Sequence, residues 1–297
     1  MRYYNSSSYF RQKYGRRFQK ICIDGGFSCP NRDGTCGVGG CIFCGERGAG
    51  EHINPGESIR RQTERALNNG SRDDIFIAYF QNFTNTHGSL TTLKERYDAA
   101  LIDERIKVLA IGTRPDCIDK ERADLLASYK DRCEVWVELG LQTVDDEIAE
   151  GINRGYKTER FNEAVALLKE RGIEVIAHVI FGLPGATKES DAETIDYVAR
   201  SGVDGVKIHS IYVMKGTNLE LTYNEGKYEP PTLEDFVERA VYAVRHLPSN
   251  MVIHRLTANC QRDLLVAPTW NDKNLMLDKI NESLNALDAH QGDLFKR

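Results

Sequence analysis

The feature that most constrains the fold is a repeated alternation of strand-like and helix-like segments along the 297 residues. Six runs rich in β-branched residues are each followed by a helical pattern. These runs begin at Lys20, Ile75, Lys107, Glu134, Glu174 and Gly205. Near-continuous apolar strands that alternate with helices indicate parallel strands covered by helices. The sequence therefore predicts an α/β fold, a full or partial TIM-like barrel of six βα units.

Apolar residues at three- and four-residue spacing place the helices between these strands. The predicted helices cover residues 58–69, 91–102, 120–129, 160–171, 189–200, 232–247 and 275–287, and a seventh strand-like run begins at Met251. We divide the chain into an N-terminal arm at 1–19, a barrel at 20–230, and a C-terminal extension at 231–297 that packs on the barrel.

Three cysteines lie in one glycine-rich loop after the first strand, at the spacing C-x11-C-x2-C: Cys29, Cys41 and Cys44. Thiolates suit iron–sulfur clusters and zinc, and structural sites normally use four ligands. Three ligands leave one metal position open. In a [4Fe-4S] cluster, the free iron could chelate S-adenosylmethionine (SAM), and an electron from the cluster could then release a 5'-deoxyadenosyl radical. The loop therefore suggests radical chemistry.

Cys36 leaves an alternative open, because with it the loop reads C-x6-C-x4-C-x2-C, a possible four-thiolate zinc or electron-transfer site. A C-x2-C pair alone also occurs in zinc knuckles and redox-active dithiols. The barrel pattern and Phe43, an aromatic residue expected near the adenine, favour three ligands, with Cys36 as a free thiol.

Polar residues follow each predicted strand, and active sites of such barrels form at the carboxyl ends of the strands. We therefore expect one polar rim. Its candidate members are Gln81, Thr84, Arg114, Asp116, Glu138, Gln142, Gly182, Gly185, Lys207, His209 and Tyr212.

Charge and composition limit which binding partners and which cellular location the sequence predicts. The net charge of -5 gives no overall attraction to nucleic acid, but the first twenty residues carry six Lys and Arg, no acid and several interleaved aromatics. Such an arm can bind phosphates and stack bases, or can simply dock on its own barrel. The chain lacks a secretory signal and an apolar run of about 18 residues, so we expect a cytoplasmic protein that does not enter membranes.

An ordered set of motifs carries a family resemblance: CPNRDGTCGVGGCIFC, YFQNFTNT, IGTRPDC, ELGLQT, INRGY, HVIFGLPG and KIHSIYVMKGT. The chain resembles radical SAM enzymes of the YhcC/YtqA-like group, which are related to the catalytic subunit of elongator. The resemblance covers nearly the whole chain. It implies a partial (β/α)6 barrel, a [4Fe-4S] cluster and SAM.

The resemblance also implies residue roles. Cys29, Cys41 and Cys44 would bind the cluster, Arg154 would pair with the SAM carboxylate, and Gln142 would help to hold the ribose. The remaining cofactor contacts would come from Glu138 to a ribose hydroxyl or ammonium, from Gly182 and Gly185 beside the adenine, and from Gln81 and Thr84 in place of the usual ammonium-binding motif.

The substrate is less determined. Residues expected to hold it are His178, Lys207, His209, Tyr212, Lys215 and Arg255. The resemblance points to tRNA, with conversion of a carboxymethylaminomethyl group at C5 of the wobble uridine towards aminomethyl, a flavodoxin- or ferredoxin-type reductant, and a methyltransferase acting afterwards. Two alternatives stay open: radical chemistry on a small metabolite or peptide, and a non-catalytic iron–sulfur protein that binds RNA or transfers electrons.

Overall fold

A parallel sheet of seven strands forms the centre of the computed structural model, which describes residues 2–48, 50–51, 53, 56–258 and 260–296. The strands, in their order across the sheet, are β1 (Phe18–Ile23), β2 (Ile75–Phe80), β3 (Ile106–Thr113), β4 (Glu134–Gln142), β5 (Glu174–Phe181), β6 (Gly205–Ser210) and β8 (Val252–Arg255). A separate antiparallel pair joins β7 (Val213–Met214) to β9 (Leu265–Ala267). The prediction of an α/β half-barrel is confirmed, with a seventh parallel strand in the run after Met251.

Helices connect successive strands and cover the outer face of the sheet. They are α1 (Ser6–Tyr14), α2 (Ile59–Asn69), α3 (Leu90–Ala100), α4 (Lys120–Ala127), α5 (Asp146–Gly151), α6 (Thr158–Glu170), α7 (Lys188–Arg200), α8 (Asn218–Asn224), α9 (Leu233–His246) and α10 (Lys273–Ala286). Polar N-cap side chains fix many of the starts; Ser58, for example, accepts a hydrogen bond from the Arg61 N–H, and Asp119 from the Arg122 N–H.

The strands bury both faces, as the alternation in β2 illustrates. Phe76, Ala78 and Phe80 face the helices and belong to the large core between sheet and helices. Ile75, Ile77 and Tyr79 belong to a second cluster on the concave side. Because successive side chains in a strand point to opposite faces, this division gives the half-barrel a filled interior.

Helix α1 closes the amino-terminal end of that interior. Phe10 is fully buried, with its ring centroid 4.2 Å from that of Phe18 and 5.5 Å from that of Trp136. The Tyr9 hydroxyl donates a hydrogen bond of 2.7 Å to Glu134, the first residue of β4. The aromatic residues of the arm therefore pack inside the barrel.

The structure places the segment boundaries differently from the sequence-based division. Strand β1 begins at Phe18, inside the range assigned to the arm. Strand β8 lies in the range assigned to the C-terminal extension, yet it pairs with β6 and completes the main sheet. The extension thus supplies both a barrel strand and the outer helices α9 and α10.

Candidate active site at the carboxyl ends of the strands

The cysteine loop follows β1, at the carboxyl edge of the sheet. Burial, together with the nearby thiols of Cys44 and Cys29, raises the pKa of the Cys41 thiol to about 12. Burial also raises the pKa of Cys44, and Cys29 contributes to that rise. The Cys44 N–H donates to the Cys41 carbonyl at 3.0 Å, and the Arg32 N–H donates to the Cys29 carbonyl at 2.8 Å while the Arg32 side chain bonds the Cys44 carbonyl, so the backbone brings the three cysteines into one compact loop. Cluster binding would need all three as thiolates.

Cys36 lies apart from this group. Its side chain is exposed, and it acts on Cys117, whose pKa is raised to about 12 by burial, by Asp116 and, to a lesser extent, by the Cys36 thiol. Among the residues described, no three His, Cys, Asp or Glu side chains are arranged to hold a single metal ion. That result applies to Cys29, Cys41 and Cys44 as well, so it is the exposure of Cys36 that favours three cluster ligands over four.

Three polar side chains hold the loop in shape. The Arg32 guanidinium donates hydrogen bonds to the carbonyl oxygens of Cys44 (2.7 Å) and Gly45 (2.6 Å). The Asn31 amide donates to the Asn153 carbonyl at 2.6 Å, and the Asn153 amide donates to the Gly40 carbonyl at 2.7 Å. The loop is therefore tied to the turn after α5 before any cofactor is present.

Several of the buried polar atoms without a hydrogen-bond partner in the described part of the chain lie at the ends of β2 and β6, while others lie on Arg47, Glu57 and Arg239. Those at the strand ends are both side-chain atoms of Asn82, Oγ1 of Thr84, Oδ1 of Asn85, Nε2 of His209 and Oγ of Ser210. The Thr84 N–H donates to the Ser28 carbonyl at 3.2 Å, so this segment adjoins the cysteine loop. Buried groups without partners are costly and suit a site that a ligand completes. With the three thiols, they fit a cluster and SAM.

Glu138 forms the centre of a charged layer inside the barrel. Its carboxylate accepts a hydrogen bond of 2.5 Å from Lys207 Nζ and one of 2.8 Å from His178 Nε2, and both Glu138 and Lys207 are buried. Burial alone would raise the pKa of Glu138, but Lys207 and His178 hold it well below its usual range. The carboxylate is therefore ionised and already paired within the chain.

Further cations surround this pair. Lys20 Nζ lies 5.7 Å and Lys207 Nζ lies 4.3 Å from the centroid of the Tyr79 ring. Arg255, at the end of β8, is the register partner of Lys207. Burial lowers the pKa of Lys207, and although Glu138 opposes this, Lys20 and Arg255 lower it further. Lys207 is buried, Lys20 is partly buried and Arg255 is exposed, so the three cations extend from the barrel interior to its surface.

Arg154 does not have the geometry that the resemblance implied. It is fully buried, and all five of its guanidinium N–H groups are occupied by its own chain. The acceptors are the carbonyls of Leu141, Thr143 and Tyr156, the Asp146 carboxylate and the Thr158 hydroxyl, at 2.7 to 3.2 Å. No N–H remains for the SAM carboxylate, so Arg154 acts in this structure as a clamp between β4 and α6.

Gly182 also makes its close contacts within the protein. It has a φ of +77°, and a Cβ added there would lie 2.2 Å from Pro231 Cγ. Its N–H donates to Asp191 at 3.0 Å, and its carbonyl accepts from the Tyr228 hydroxyl at 2.6 Å. The glycine is required for the close approach of Pro231.

The other residues predicted to bind the cofactor either lie at the rim or form hydrogen bonds within the chain. Phe43 packs against the apolar cluster that includes Leu183 and Ile211. Gln142 has a φ of +61° and accepts a hydrogen bond of 3.0 Å from the Tyr156 hydroxyl. Gln81 directly precedes Asn82 and donates its backbone N–H to the Ile23 carbonyl at 3.3 Å.

Two residues predicted to hold substrate are bonded within the chain. The Tyr212 hydroxyl donates to the Ala258 carbonyl at 2.6 Å, and Lys215 Nζ donates to the Asp263 carbonyl at 2.6 Å. His178 and His209 do face each other in the interior, with ring centroids 5.2 Å apart.

Sequence reasoning missed Lys20, Tyr79, Asn82 and Ser210. Lys20 and Tyr79 stand in apolar strands where a polar residue is unusual, and this is the signal that could have found them. Asn82 and Ser210 had no such signal, because a lone Asn or Ser after a strand is common in loops.

The fold and the site together define a class: a parallel half-barrel enzyme with a three-thiol loop at its carboxyl rim. The model of the Radical SAM superfamily matches residues 34–198, and that of the Radical_SAM C-terminal domain matches residues 203–286. The chain belongs to the radical SAM superfamily. A [4Fe-4S] cluster and SAM are the cofactors of this family, as expected from the sequence.

Relatives support the narrower resemblance to the YhcC/YtqA-like group, which is confirmed. The chain is 38% identical to protein YhcC of Escherichia coli K12 over 87% of this chain and 84% of the relative. It is 36% identical to YtqA of Bacillus subtilis over 100% of this chain and 94% of the relative. It is also 34% identical to a tRNA uridine(34) acetyltransferase of Methanocaldococcus jannaschii, over 54% of this chain and 29% of the relative.

A solved structure agrees on the fold. The archaeal Elp3 of Methanocaldococcus infernus superimposes with a TM-score of 0.69 at 20% identity, over 93% of this chain and 64% of the other. In the described residues, we find no helix with the length and apolarity needed to cross a bilayer.

Proposed function

We propose that this radical SAM enzyme modifies the C5 side chain of the wobble uridine in tRNA, converting carboxymethylaminomethyl towards aminomethyl. The observation that carries the proposal is the similarity to a tRNA uridine(34) acetyltransferase over 54% of the chain. The same chain has three thiols and several buried, unpaired polar atoms at the carboxyl rim of its barrel, which also supports the proposal.

When bound, the cluster and SAM supply reductive cleavage of SAM to methionine and a 5'-deoxyadenosyl radical. The protein has to position both reactants and exclude water. Arg32 and Asn153 fix the cysteine loop, Asn82 and Thr84 offer unpaired polar atoms beside it, and His209 faces the interior from β6. A flavodoxin- or ferredoxin-type reductant and a later methyltransferase complete the proposal.

One observation favours a small metabolite or peptide as the alternative substrate. Four of the six aromatic residues of the N-terminal arm, which could have stacked unpaired bases, pack together in the barrel: Tyr9, Phe10, Tyr14 and Phe18. The exposed arginines Arg11, Arg16 and Arg17 lie at the amino-terminal end of the barrel, opposite the cysteine loop. The arm therefore adds no argument for RNA binding at the site.

The test is an anaerobic reaction of the reconstituted, reduced protein with SAM and bulk tRNA from a strain that lacks the gene. Mass spectrometry would read 5'-deoxyadenosine and the tRNA nucleosides. We expect 5'-deoxyadenosine and conversion of carboxymethylaminomethyluridine, both retained in Cys36→Ala and lost in Cys41→Ala. Deoxyadenosine formation without a change in any nucleoside would contradict the tRNA proposal and leave the alternative substrate class.

A further inference from the structure

The charged layer of the barrel interior has more cations than anions. Lys20, Lys207 and Arg255 act on one another there, and Glu138 is the carboxylate that acts on them. Glu138 is itself occupied, because it accepts hydrogen bonds from Lys207 and from His178. In the part of the chain that the structure describes, this leaves Lys20, which is partly buried, and Arg255, which is exposed, without a carboxylate partner of their own.

Within the described residues, Arg255 and His209 are the two groups near Lys207 with polar atoms that have no hydrogen-bond partner. The Arg255 guanidinium is exposed and forms no hydrogen bond or ion pair within the described residues. Nε2 of His209 is buried and without a partner there. Both neighbour Lys207, since Arg255 is its register partner in β8 and His209 follows it by two residues in β6, on the same face of the strand.

We propose that Arg255, Lys20 and His209 form a subsite for an anionic group of the substrate, specifically a carboxylate. A guanidinium matches a carboxylate through two parallel hydrogen bonds, and such charge-assisted bonds are strong away from bulk water. The inference rests on the proposed function, in which the group to be modified ends in a carboxylate. It also explains why the interior keeps cations that Glu138 does not neutralise.

The carboxylate of SAM is the other anion to consider. The arginines that act on the cysteine thiols are Arg114, for Cys41, and Arg32, for Cys44. Lys20 and Lys207 each lie three residues before the carboxyl end of their strand, β1 and β6, whereas the cysteine loop follows the end of β1. The cations around Lys207 are therefore placed for a second anion, deeper in the barrel than the cluster loop.

The experiment measures binding to the reconstituted protein with SAM by anaerobic isothermal titration calorimetry. The probes are 5-carboxymethylaminomethyluridine and 5-aminomethyluridine, and, as a pair without a nucleoside, succinate and neutral succinamide. The variants are Arg255→Gln and Lys20→Gln. Arg160→Gln is the control, because Arg160 pairs with Glu163 on the outer surface. SAM affinity is measured for every variant.

We expect the native protein to bind each carboxylate probe at least about tenfold more tightly than the member of its pair that lacks the carboxylate, the order expected of charge-assisted bonds. Arg255→Gln should abolish that preference, Lys20→Gln should reduce it, and Arg160→Gln should keep it, all with unchanged SAM affinity. The protein could also prefer succinate, lose that preference in Arg255→Gln, and bind neither nucleoside. That result would support the subsite and contradict the wobble-uridine proposal.

Three results would overturn the subsite. The first is equal binding of carboxylate and neutral probes by the native protein. The second is an Arg255→Gln variant that weakens both members of a pair equally, as a general structural defect would. The third is loss of SAM affinity in Arg255→Gln, which would assign the cations to the cofactor.

Discussion

Single side chains in this protein divide into those that build the site and those that a ligand can still reach. Arg154 is in the first group because its five N–H groups are occupied. Glu138 is in the first group because Lys207 and His178 bind it. Asn82, Thr84, His209 and Arg255 are in the second group. This distinction cannot be made from residue type or spacing.

Replacement of Arg154 tests its role as a clamp. Arg154→Ala leaves three buried carbonyls and Asp146 without their donor, and we expect it to lower the free energy of unfolding by about 3–5 kcal/mol. Arg160→Ala, on the surface, should change it by less than about 0.5 kcal/mol. Urea unfolding followed by circular dichroism measures both.

Arg154→Lys separates the two possible roles of this residue. Lysine keeps the charge but cannot reach five acceptors, so the clamp predicts a clear loss of stability. If Arg154→Lys instead kept native stability and lost SAM affinity, Arg154 would be a SAM ligand as the family resemblance implied.

His254 gives a pH-dependent test. Burial, with Lys207 and Lys20, holds its pKa well below the usual 6.5, so the unfolded chain binds a proton that the folded chain does not. Stability should therefore fall as pH drops below about 6.5, by up to about 1.4 kcal/mol per pH unit for this group. His178 and His209 act with the same sign.

His254→Gln should reduce the slope of unfolding free energy against pH between about pH 5.5 and 6.5. The reduction is at most the contribution of one bound proton, about 1.4 kcal/mol per pH unit. The measurement is urea unfolding at several pH values. His290→Gln is the control, since His290 is exposed. An unchanged slope in His254→Gln would contradict the neutral, buried state of this ring.

At the scale of elements, α1 acts as a plug for the amino-terminal end of the barrel. Phe10→Ala should lower the free energy of unfolding by about 3–5 kcal/mol, because it removes a fully buried ring from contact with Phe18 and Trp136. Phe10→Leu keeps most of the apolar volume and should lose less. Thermal or urea unfolding measures both.

Unchanged stability in Phe10→Ala together with weaker tRNA binding would contradict the plug and support base stacking by the arm. Removal of the first eighteen residues would not separate these roles, because it deletes α1 and the start of β1.

Elements with a strong pattern were predictable from the sequence, and elements held by contacts were not. Alternation of apolar strands with amphipathic helices predicted β1 to β6, β8 and seven of the helices, with ends shifted by up to three residues. Helix α1 was not predicted, because its segment SSSYFRQKY has too few apolar residues to show a helical repeat. The helix is stabilised by the burial of Phe10 against strands that are distant in the sequence. The β7–β9 pair joins residues about fifty apart and has no local signal.

At the scale of the whole molecule, the half-barrel has three layers along its axis. An aromatic plug around Phe10 and Trp136 closes one end. A charged layer around Glu138 and Lys207 occupies the interior. The cysteine loop and the ends of β2 and β6 form the open rim. This order puts the three thiols at the mouth and the charged layer beneath them.

The measurement that tests the account most directly is electron paramagnetic resonance of the dithionite-reduced, reconstituted protein, with and without SAM. The account predicts a [4Fe-4S] signal that changes on SAM addition, because three ligands leave one iron open. Cys36→Ala should behave in the same way, and Cys41→Ala should lose the signal. A spectrum that SAM does not alter, together with loss of the cluster in Cys36→Ala, would contradict it and assign the loop to a closed four-thiolate centre.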